Sequence, residues 1–372
     1  MKRIMIDASA LLKSHPTGVE RYARQLLLAM MRLPVPAGVI FELVAKGALP
    51  ADIALPPQWL WRSLSYPLKK GFTHVRLSLE LLVRPPDVYF APAHEIPFLH
   101  RGTRIVTTVH DVVQAFAPQV YQPSLLKRLN WATKRAVKEA ESILAVSAST
   151  KSDLVRFFKA DADRITVTPL ASGFADDVAV LDVGATLRAL RLAPSFYVLY
   201  VGRLEAKKNV ATLVRAFTLL KERLGVGHPL KLVLVGSRGY QYEKIQAEIA
   251  DSLVKEDIVE LGFVRDEQLL ALYSGAFATV LPSIGEGFGL PVLEAMRFGS
   301  PVIASDIPVM HEVCGEAALY AAPSDAPAFA ARLSELVFSG VKRDELIEKG
   351  KLRVAHFSWE ATAQKTLGVL LQ

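Results

Sequence analysis

The segment from residue 276 to residue 304 constrains the fold more than any other part of the chain. An apolar run, 276–281, has the length and composition of a buried strand, and a loop rich in Pro, Ser and Gly follows it. A helix then starts in a glycine-rich turn at 287–289, and a second apolar run, 301–304, forms the next strand. This strand–loop–helix–strand pattern predicts an α/β protein in which backbone N–H groups hold anions or hydroxyl groups.

Two carboxylates flank the glycine-rich turn, Glu286 at its start and Glu294 eight positions later. Within a helix, eight residues are slightly more than two turns, so the spacing predicts that both side chains point to roughly the same side. Glu286 at the mouth of the helix can accept hydrogen bonds from hydroxyl groups. The spacing alone also fits a capping glutamate followed by an ordinary surface glutamate.

Length and composition indicate two domains and no disulfide framework. A chain of 372 residues with 51% hydrophobic content can bury two ordinary cores. The single cysteine, Cys314, excludes a disulfide pair and a cysteine metal cluster, and we expect it to be buried. Because neither a long apolar run nor a leader signal is evident, we expect a cytoplasmic chain, either soluble or peripheral on the inner face of the cytoplasmic membrane.

The positive charge is concentrated in the first half of the chain. Residues 1–172 carry a net charge of +10 and residues 173–372 carry −3, which predicts an anionic partner for the first half. In two segments, 68–84 and 121–141, basic and apolar residues alternate at helical spacing. No nucleic-acid recognition motif is present, so an anionic membrane surface fits better than nucleic acid. A solvated amphipathic helix is the alternative for 121–141.

Two loops in the first half place polar residues after predicted strands. The strand 3–6 leads to a turn containing Thr17 and Gly18, and a helix follows from about residue 20. The strand 104–109 delivers His110 and Asp111 at its carboxyl end, where α/β sheets place ligands. A plain strand-to-helix turn and an ordinary loop histidine are the alternatives for these two positions.

The second half opens with a pattern suited to a diphosphate. The strand 196–201 runs into Gly202 and Arg203, and Lys208 follows near the start of a helix. Arginine can bind two phosphate oxygens, lysine supplies a point charge, and free backbone N–H groups complete the contact. Exposed surface charge is the alternative interpretation of these two cations.

The segment Glu286-Gly-Phe-Gly-Leu-Pro-x-x-Glu294 resembles the donor site of family-4 retaining glycosyltransferases of the GT-B architecture. The Gly202-Arg203…Lys208-Asn209 segment and the His110-Asp111 pair are similar to other motifs of that family. The resemblance covers nearly the whole chain and implies an α/β fold with two Rossmann-like domains facing a cleft. It assigns residues 1–172, with a closing helix over 357–372, to the acceptor, and residues 173–356 to the nucleotide sugar.

The resemblance also implies roles for individual residues. The four assigned to catalysis are Glu286, His110, Arg203 and Lys208. Those assigned to donor binding are Gly18, Gly202, Gly236, Val264, Gly287, Phe288, Gly289, Leu290 and Glu294. Thr17 and Asp111 fall on the acceptor side.

The sequence predicts no metal ion and no cofactor. Asp161-Ala-Asp163 matches the Asp-x-Asp pattern of metal-dependent glycosyltransferases, but it lies in a polar turn far along the chain from the donor motifs. Other His, Asp and Glu residues do not show ligand spacing. Fixed cations would then neutralise the leaving nucleoside diphosphate.

The expected activity is transfer of a hexose from a nucleoside diphosphate sugar, with retention, to a hydroxyl group of a glycan or lipid-linked acceptor. GDP-mannose is favoured over UDP-glucose, and surface polysaccharide (lipopolysaccharide) biosynthesis is the expected setting. A nucleotide-sugar epimerase is one alternative, which would convert the donor without an acceptor. A non-catalytic sugar-nucleotide-binding scaffold is the other, and it would bind the donor without turnover.

Overall fold

The chain forms two compact units. The computed structural model describes residues 1–13, 17–67, 71–100, 102–174 and 182–372. Unit 1 comprises Met1–Ala115, Ser124–Gly173 and Ser358–Gln372, and unit 2 comprises Phe116–Pro123 and Phe174–Phe357. Residues 116–123, which we expected in the first domain, therefore group with unit 2.

Each unit is built on one parallel sheet. The strands in chain order are β1 Lys2–Asp7, β2 Val39–Ala45, β3 Trp59–Ser63, β4 Val88–Ala91, β5 Arg104–Val109, β6 Ser142–Ala145, β7 Ile165–Val167, β8 Tyr197–Val201, β9 Lys231–Val235, β10 Ile258–Gly262, β11 Ala278–Leu281, β12 Val302–Ser305 and β13 Ala318–Ala321. Within the described residues, unit 1 has the order β3-β2-β1-β4-β5-β6-β7 and unit 2 the order β10-β9-β8-β11-β12-β13. Strands such as β8 and β11 are nearly continuous apolar runs, because helices cover both faces of a parallel sheet.

The helices alternate with the strands. In chain order they are α1 Gly18–Met31, α2 Leu77–Val83, α3 Pro123–Glu139, α4 Ala148–Phe158, α5 Val183–Ala189, α6 Val210–Leu224, α7 Tyr242–Asp251, α8 Asp266–Gly275, α9 Leu290–Arg297, α10 Pro308–Cys314, α11 Ala326–Phe338, α12 Gly340–Val354 and α13 Trp359–Leu371. Ser147 caps α4, since its side chain accepts a hydrogen bond from the backbone N–H of Thr150. Cys314 is buried, as expected.

The closing helix α13 belongs to unit 1 and packs on α1. The indole N–H of Trp359 donates to the carbonyl of Ser172 at 2.7 Å, and Lys2 Nζ donates to the carbonyl of Leu371 at 2.8 Å. The Trp359 ring also lies 6.1 Å from the ring of Tyr22 on α1. The last turn of the chain is therefore tied to the first strand.

Three local details refine this description. The proline-containing stretch 50–67 includes β3, an edge strand whose Trp59 ring stacks on Phe41 of β2 at 4.3 Å. In the predicted helix 68–84, residues 68–70 lie outside the described residues, and a π-helical turn over Phe72–Arg76 precedes α2. Asp266 is the first residue of α8 and does not cap it, since Arg265 is the residue before the helix.

Candidate functional site

The strand order of each sheet reverses once near its centre. In unit 2 the reversal lies between β8 and β11, so the loops 202–209 and 282–289 leave adjacent strand ends. In open α/β sheets such a reversal opens a crevice where ligands bind. The two loops are bonded to each other: the backbone N–H of Ile284 donates to the carbonyl of Lys207 at 3.0 Å, and Asn209 Nδ2 donates to the carbonyl of Pro282 at 2.9 Å.

A buried ion pair joins the two unit 2 loops. Lys208 Nζ lies 2.5 Å from Glu286 Oε1, with the side chains 18% and 8% exposed, and Ser283 Oγ donates to the same oxygen at 2.7 Å. Burial opposes ionisation of Glu286, but the nearby Lys208 and Lys207 ammonium groups and the two hydrogen bonds outweigh it. The pKa of Glu286 is therefore lowered, and the carboxylate is ionised.

Arg203 presents its guanidinium group to solvent. Its side chain is 54% exposed, with Nη1 3.4 Å from Glu205 Oε2. Arg238, on the loop after β9, is also exposed, and its guanidinium group lies 4.4 Å from the centre of the Tyr242 ring. The two arginines come from neighbouring strand ends, because residues 204 and 238 form a parallel bridge. Two exposed cations at adjacent sheet edges are suited to a diphosphate.

Gly202 and Gly236 allow the loops after β8 and β9 to touch. Gly236 has φ +136°, and a Cβ atom added there would lie 2.0 Å from the carbonyl oxygen of Gly202. Gly202 has φ +151°, and a Cβ there would lie 2.8 Å from Tyr200 Oη. Only glycine fits this approach of backbone to backbone.

The glycine-rich turn precedes α9 and is not part of it. Gly289 has φ +98°, outside the helical region, so α9 begins at Leu290. Glu286 therefore lies in the loop and does not share a helix face with Glu294, and that inference from spacing was wrong. Glu294 on α9 is buried, with Oε2 accepting a hydrogen bond from Tyr273 Oη at 2.9 Å.

The other predicted donor residues lie in unit 2, except for Gly18. Phe288 is buried, with its ring 5.6 Å from the Phe357 ring. Gly287 precedes it in the loop, and Leu290 is the buried first residue of α9. Val264 is buried just after the carboxyl end of β10. Gly18 is the first residue of α1 in unit 1.

In unit 1 the strand order reverses between β1 and β4, and a cavity of about 310 Å³ lies there. Asp7 at the end of β1 lines it, together with Thr73, His94 and Glu95. We did not assign any of these four residues to a site from the sequence. Asp7 followed a predicted strand, which was a usable signal, but its neighbours could be recognised only from the strand order.

His110 supports the wall of this cavity. Its Nε2 lies 2.9 Å from the carbonyl oxygen of Pro92, which can only accept, so the ring donates from Nε2. The ring also meets the Tyr22 ring edge-on at 4.8 Å. Burial lowers the pKa of His110 to about 4, so the imidazole is neutral near pH 7. The structure thus gives His110 a contact that fixes the loop after β4.

Thr17 and Asp111 hold local backbone structure. The backbone N–H of Thr17 donates to Glu20 Oε2 at 2.9 Å, which forms part of a capping box at the start of α1. Asp111 Oδ1 accepts a hydrogen bond from the backbone N–H of Val113 at 3.2 Å. Both residues are in unit 1, where the sequence analysis put the acceptor.

The Asp-x-Asp sequence is a short turn. Asp161 Oδ1 accepts a hydrogen bond from the backbone N–H of Asp163 at 3.0 Å, which caps a 3-10 turn over Ala162–Arg164. In the part of the chain that the structure describes, no three His, Cys, Asp or Glu side chains are grouped to hold a metal ion. Among the same described residues, no helix has the length and apolar character needed to span a membrane.

Comparisons with known proteins agree with this fold and these motifs. The family model described as Glycosyl transferases group 1 matches residues 189–353, and Glycosyltransferase Family 4 matches residues 16–171. The chain is 33% identical over 282 residues to O-antigen chain mannosyltransferase B of Escherichia coli, covering 75% of this chain and 73% of that protein.

Solved structures share the fold at lower identity. WaaG, a glycosyltransferase involved in lipopolysaccharide biosynthesis, aligns over 99% of both chains with a TM-score of 0.74 and 15% identity. Anabaena HepE in complex with UDP-glucose aligns over 100% of this chain and 99% of that one, with a TM-score of 0.72 and 17% identity.

The two doubly wound units and these matches define an α/β glycosyltransferase of the GT-B architecture. The chain belongs to the glycosyl transferases group 1 family. The family and the fold class that the motifs predicted are thereby confirmed.

Proposed function

We propose that this chain is a retaining mannosyltransferase that transfers mannose from GDP-mannose to a hydroxyl group of a lipid-linked glycan in O-antigen assembly. The Escherichia coli relative is a mannosyltransferase of the O-antigen chain, and WaaG is involved in lipopolysaccharide biosynthesis, which together support the sugar and the setting. The observation that carries the proposal is the buried Lys208–Glu286 pair at the unit 2 reversal, with the exposed Arg203 in the same loop as Lys208.

In this proposal the donor diphosphate lies at the ends of β8 and β9. Arg203 would bind its oxygens, and the Gly202–Gly236 approach keeps side chains away from the phosphate path. Lys208 has three N–H donors, so it can bind Glu286 and still direct a donor toward phosphate. Because these cations are fixed, they can stabilise the charge that develops on the leaving diphosphate without a metal ion.

The reaction forms one bond and breaks one at the anomeric carbon. The acceptor hydroxyl oxygen attacks C1 from the face that the diphosphate leaves, and the leaving phosphate oxygen takes the hydroxyl proton. Glu286 would hold sugar hydroxyl groups in place, since its lowered pKa keeps it an acceptor. Glu294, held by Tyr273, is assigned to the ribose of the nucleotide.

Unit 1 would bind the acceptor and contact an anionic membrane surface. Near the 97–100 segment it exposes apolar side chains, namely Leu79, Leu82, Val83, Phe98, Leu99 and Trp131. The Phe98 and Trp131 rings lie 5.9 Å apart, and the backbone N–H of Leu99 donates to Ser78 of α2. The exposed basic residues of α3 are Lys127, Arg128, Lys134 and Lys138. Apolar side chains beside basic ones are typical of a surface that docks on anionic lipid.

Transfer assays in EDTA test the proposal. The protein is incubated with GDP-mannose, or with UDP-glucose, and a mannose-terminated acceptor, and the product is followed by proton NMR. We expect transfer from GDP-mannose to an α-linked product, which is retention. Arg203→Ala and Glu286→Ala should each lower turnover at least about tenfold, because each removes charge stabilisation or positioning in the transition state.

The matched control is Glu335→Gln, which removes a partly exposed unit 2 carboxylate paired with Arg332 and should leave turnover unchanged. Near-wild-type turnover in both active-site variants would contradict the site assignment. Conversion of GDP-mannose without any acceptor would identify an epimerase, and binding of GDP without turnover would identify a scaffold. A requirement for a divalent cation would overturn the metal-independent route.

A further inference from the structure

A buried tyrosine of α8 is bonded to the carboxyl group that the proposed function assigns to the ribose. Tyr273 Oη donates to Glu294 Oε2 at 2.9 Å, and both residues are buried in unit 2. A carboxyl group that is removed from water needs hydrogen-bond partners, and a hydroxyl group that donates to a carboxylate forms one of the stronger hydrogen bonds. The Tyr273 hydroxyl is therefore a contact that restricts where the carboxyl group of Glu294 can point.

The Tyr273 ring is held by the same part of the chain as its hydroxyl. Phe298 directly follows α9, and its ring lies nearly parallel to the Tyr273 ring, with 6.4 Å between the ring centres and 14° between the planes. Glu294 and Phe298 are four residues apart, and the backbone N–H of Phe298 donates to the carbonyl of Glu294 at 3.2 Å. The ring and the hydroxyl thus contact one turn of chain at the end of α9, which fixes the phenol group against that turn.

Helix α8 connects this contact to another part of the predicted donor site. It begins at Asp266, two residues after Val264, and Tyr273 lies about two turns further along the helix. The same turn of α8 is tied to the central strand β8, because Tyr197 Oη donates to the carbonyl of Leu272 at 2.6 Å. Tyr273 therefore extends from a part of unit 2 that is fixed to the sheet.

We propose that Tyr273 is a positioning residue, which holds the carboxyl group of Glu294 so that it accepts hydrogen bonds from the ribose hydroxyl groups of the donor. Tyr273 is fully buried, so it acts through Glu294 and does not touch the donor itself. The inference rests on the proposed function for the assignment of Glu294 to the ribose. It adds that one tyrosine hydroxyl sets the preference of unit 2 for a ribonucleotide over a nucleotide without ribose hydroxyls.

Calorimetric binding of GDP and of 2′,3′-dideoxy-GDP, measured in EDTA, tests the inference. UDP and 2′,3′-dideoxy-UDP are measured in parallel, because the ribose contact does not depend on the base. We expect the wild type to bind the better ribonucleotide at least about tenfold more tightly than its dideoxy analogue. Tyr273→Phe keeps the ring and removes the hydroxyl, so it should reduce that preference at least about threefold while binding of the dideoxy analogue stays unchanged.

Tyr197→Phe is the matched control. It removes another buried tyrosine hydroxyl from unit 2, one that bonds to the backbone of α8. Both variants lose one buried hydrogen bond and should lower the Tm to a similar extent, whereas only Tyr273→Phe should change the ribose preference. If Tyr273→Phe weakens binding of the ribonucleotide and of its dideoxy analogue equally, the hydroxyl has a structural role and the inference is overturned.

Glu294→Gln tests the same route without a change at Tyr273. An amide offers fewer acceptor positions than a carboxylate, so this variant alone should lower the ribose preference. Adding Tyr273→Phe to it should cause little further loss, because the hydroxyl acts only through residue 294. An undiminished preference in Glu294→Gln, or losses that simply add, would contradict the inference.

Transfer kinetics give a further readout that a loss of stability would not produce. Tyr273→Phe should raise the KM for GDP-mannose and leave kcat nearly unchanged, because the ribose is bound alike in the ground state and in the transition state. A lower kcat with an unchanged KM would place the hydroxyl in the chemical step and overturn the inference.

Failure of the proposed function has a different appearance. In that case the ribose preference is present and depends on the Tyr273 hydroxyl, but no mannose is transferred from GDP-mannose. If the wild type binds a ribonucleotide and its dideoxy analogue equally, Glu294 does not contact the ribose, and the inference fails whether or not mannose is transferred. If none of the nucleotides binds, the inference and the proposed function fail together.

Discussion

The two sheet reversals of this molecule share a topology and differ in chemistry. In unit 2 the loops at the reversal carry glycines and an ion pair, and the backbone of one loop touches that of the next at Gly202 and Gly236. In unit 1 the corresponding loops, 7–13 and 92–95, contain no glycine, and their side chains line a cavity. The edge of the unit 2 sheet presents backbone groups and cations, whereas the edge of the unit 1 sheet presents acidic residues and a histidine.

In the proposed function, this difference separates the charged donor from the acceptor. Cations and backbone N–H groups favour a diphosphate, whereas carboxyl groups form hydrogen bonds with hydroxyl groups. The net charge of the first half does not indicate the charge of its cavity, because this basic half has a cavity lined by three acidic residues. The basic residues of α3 are mostly exposed, so their charge describes the surface of unit 1 and not its cavity.

The largest expected effect comes from breaking the backbone contact in unit 2. Gly236→Ala places a Cβ atom 2.0 Å from the Gly202 carbonyl oxygen, and neither backbone can move without disturbing its strand. We expect the free energy of unfolding of unit 2 to fall by at least about 3 kcal/mol. Gly262→Ala is the matched control: its φ is +67°, but no atom lies within 4 Å of the added Cβ, so the cost should be about 1 kcal/mol.

The two units can be followed separately. All four tryptophans, Trp59, Trp61, Trp131 and Trp359, are in unit 1, so tryptophan fluorescence follows that unit and far-UV circular dichroism follows both. Gly236→Ala should lower the midpoint of the unit 2 unfolding transition seen by circular dichroism, while the transition seen by tryptophan fluorescence stays unchanged. Equal costs for the two alanine variants would show that the loops can separate, and the close approach would then not define the unit 2 edge.

Much of the fold could be predicted because each central strand is a short apolar run ending in a polar or glycine turn. The unit 2 residues that meet were also recognisable, since Lys208 and Glu286 each lie in a compact motif. The edge strand β3 gives a weaker signal in the sequence, because it is only partly buried and prolines precede and follow it. The start of α9 was misplaced because Gly289 adopts φ +98°, which the glycine spacing does not reveal.

The unit 1 cavity could not be predicted from local sequence. Asp7, Thr73 and His94 come from three separate segments, and only the order β1-β4 brings the strand ends together. Thr73 lies in a π-helical turn, a local structure that the basic and apolar pattern of 68–84 did not indicate. Sites assembled from single residues on distant loops require the topology, whereas sites built from contiguous motifs do not.

Mild acid should weaken the contribution of His110 to the stability of unit 1. Burial lowers the pKa of His110 to about 4, against about 6.5 in the unfolded chain, so the unfolded state binds a proton first as pH falls. The stabilisation from neutral His110 is complete above pH 6.5 and is lost as the pH falls toward 4. At pH 5 the free energy of unfolding should be about 2 kcal/mol lower than at neutral pH for this reason. In unit 2, the lowered pKa of Glu286 has the same sign, but its contribution is lost only below about pH 4.5.

His110→Gln isolates this effect, since the amide can still donate to the Pro92 carbonyl. His94 nearby acts in the same sense as His110, whereas the raised pKa of Asp7 acts in the opposite sense, and Asp111 and Glu20 are the other charges near the ring. The difference in unfolding free energy between wild type and His110→Gln, measured by tryptophan fluorescence, should therefore shrink or reverse between pH 7 and pH 5. A difference that is constant over this range would show that His110 titrates normally in folded unit 1.

The smallest expected effect is on lipid binding, and it compares the exposed surfaces of the two units. Phe98→Ser with Trp131→Ser removes exposed rings of unit 1, and partial burial of such rings in lipid corresponds to about 1.4 kcal/mol, or a tenfold loss of partitioning. The measurement is co-sedimentation with vesicles that contain phosphatidylglycerol, and higher salt should weaken binding further by screening the α3 cations. Phe338→Ser removes an exposed ring of unit 2 and should have no effect. If the unit 1 double variant and Phe338→Ser lost vesicle binding equally, any exposed ring would adsorb to lipid. Unit 1 would then have no specific membrane-facing surface.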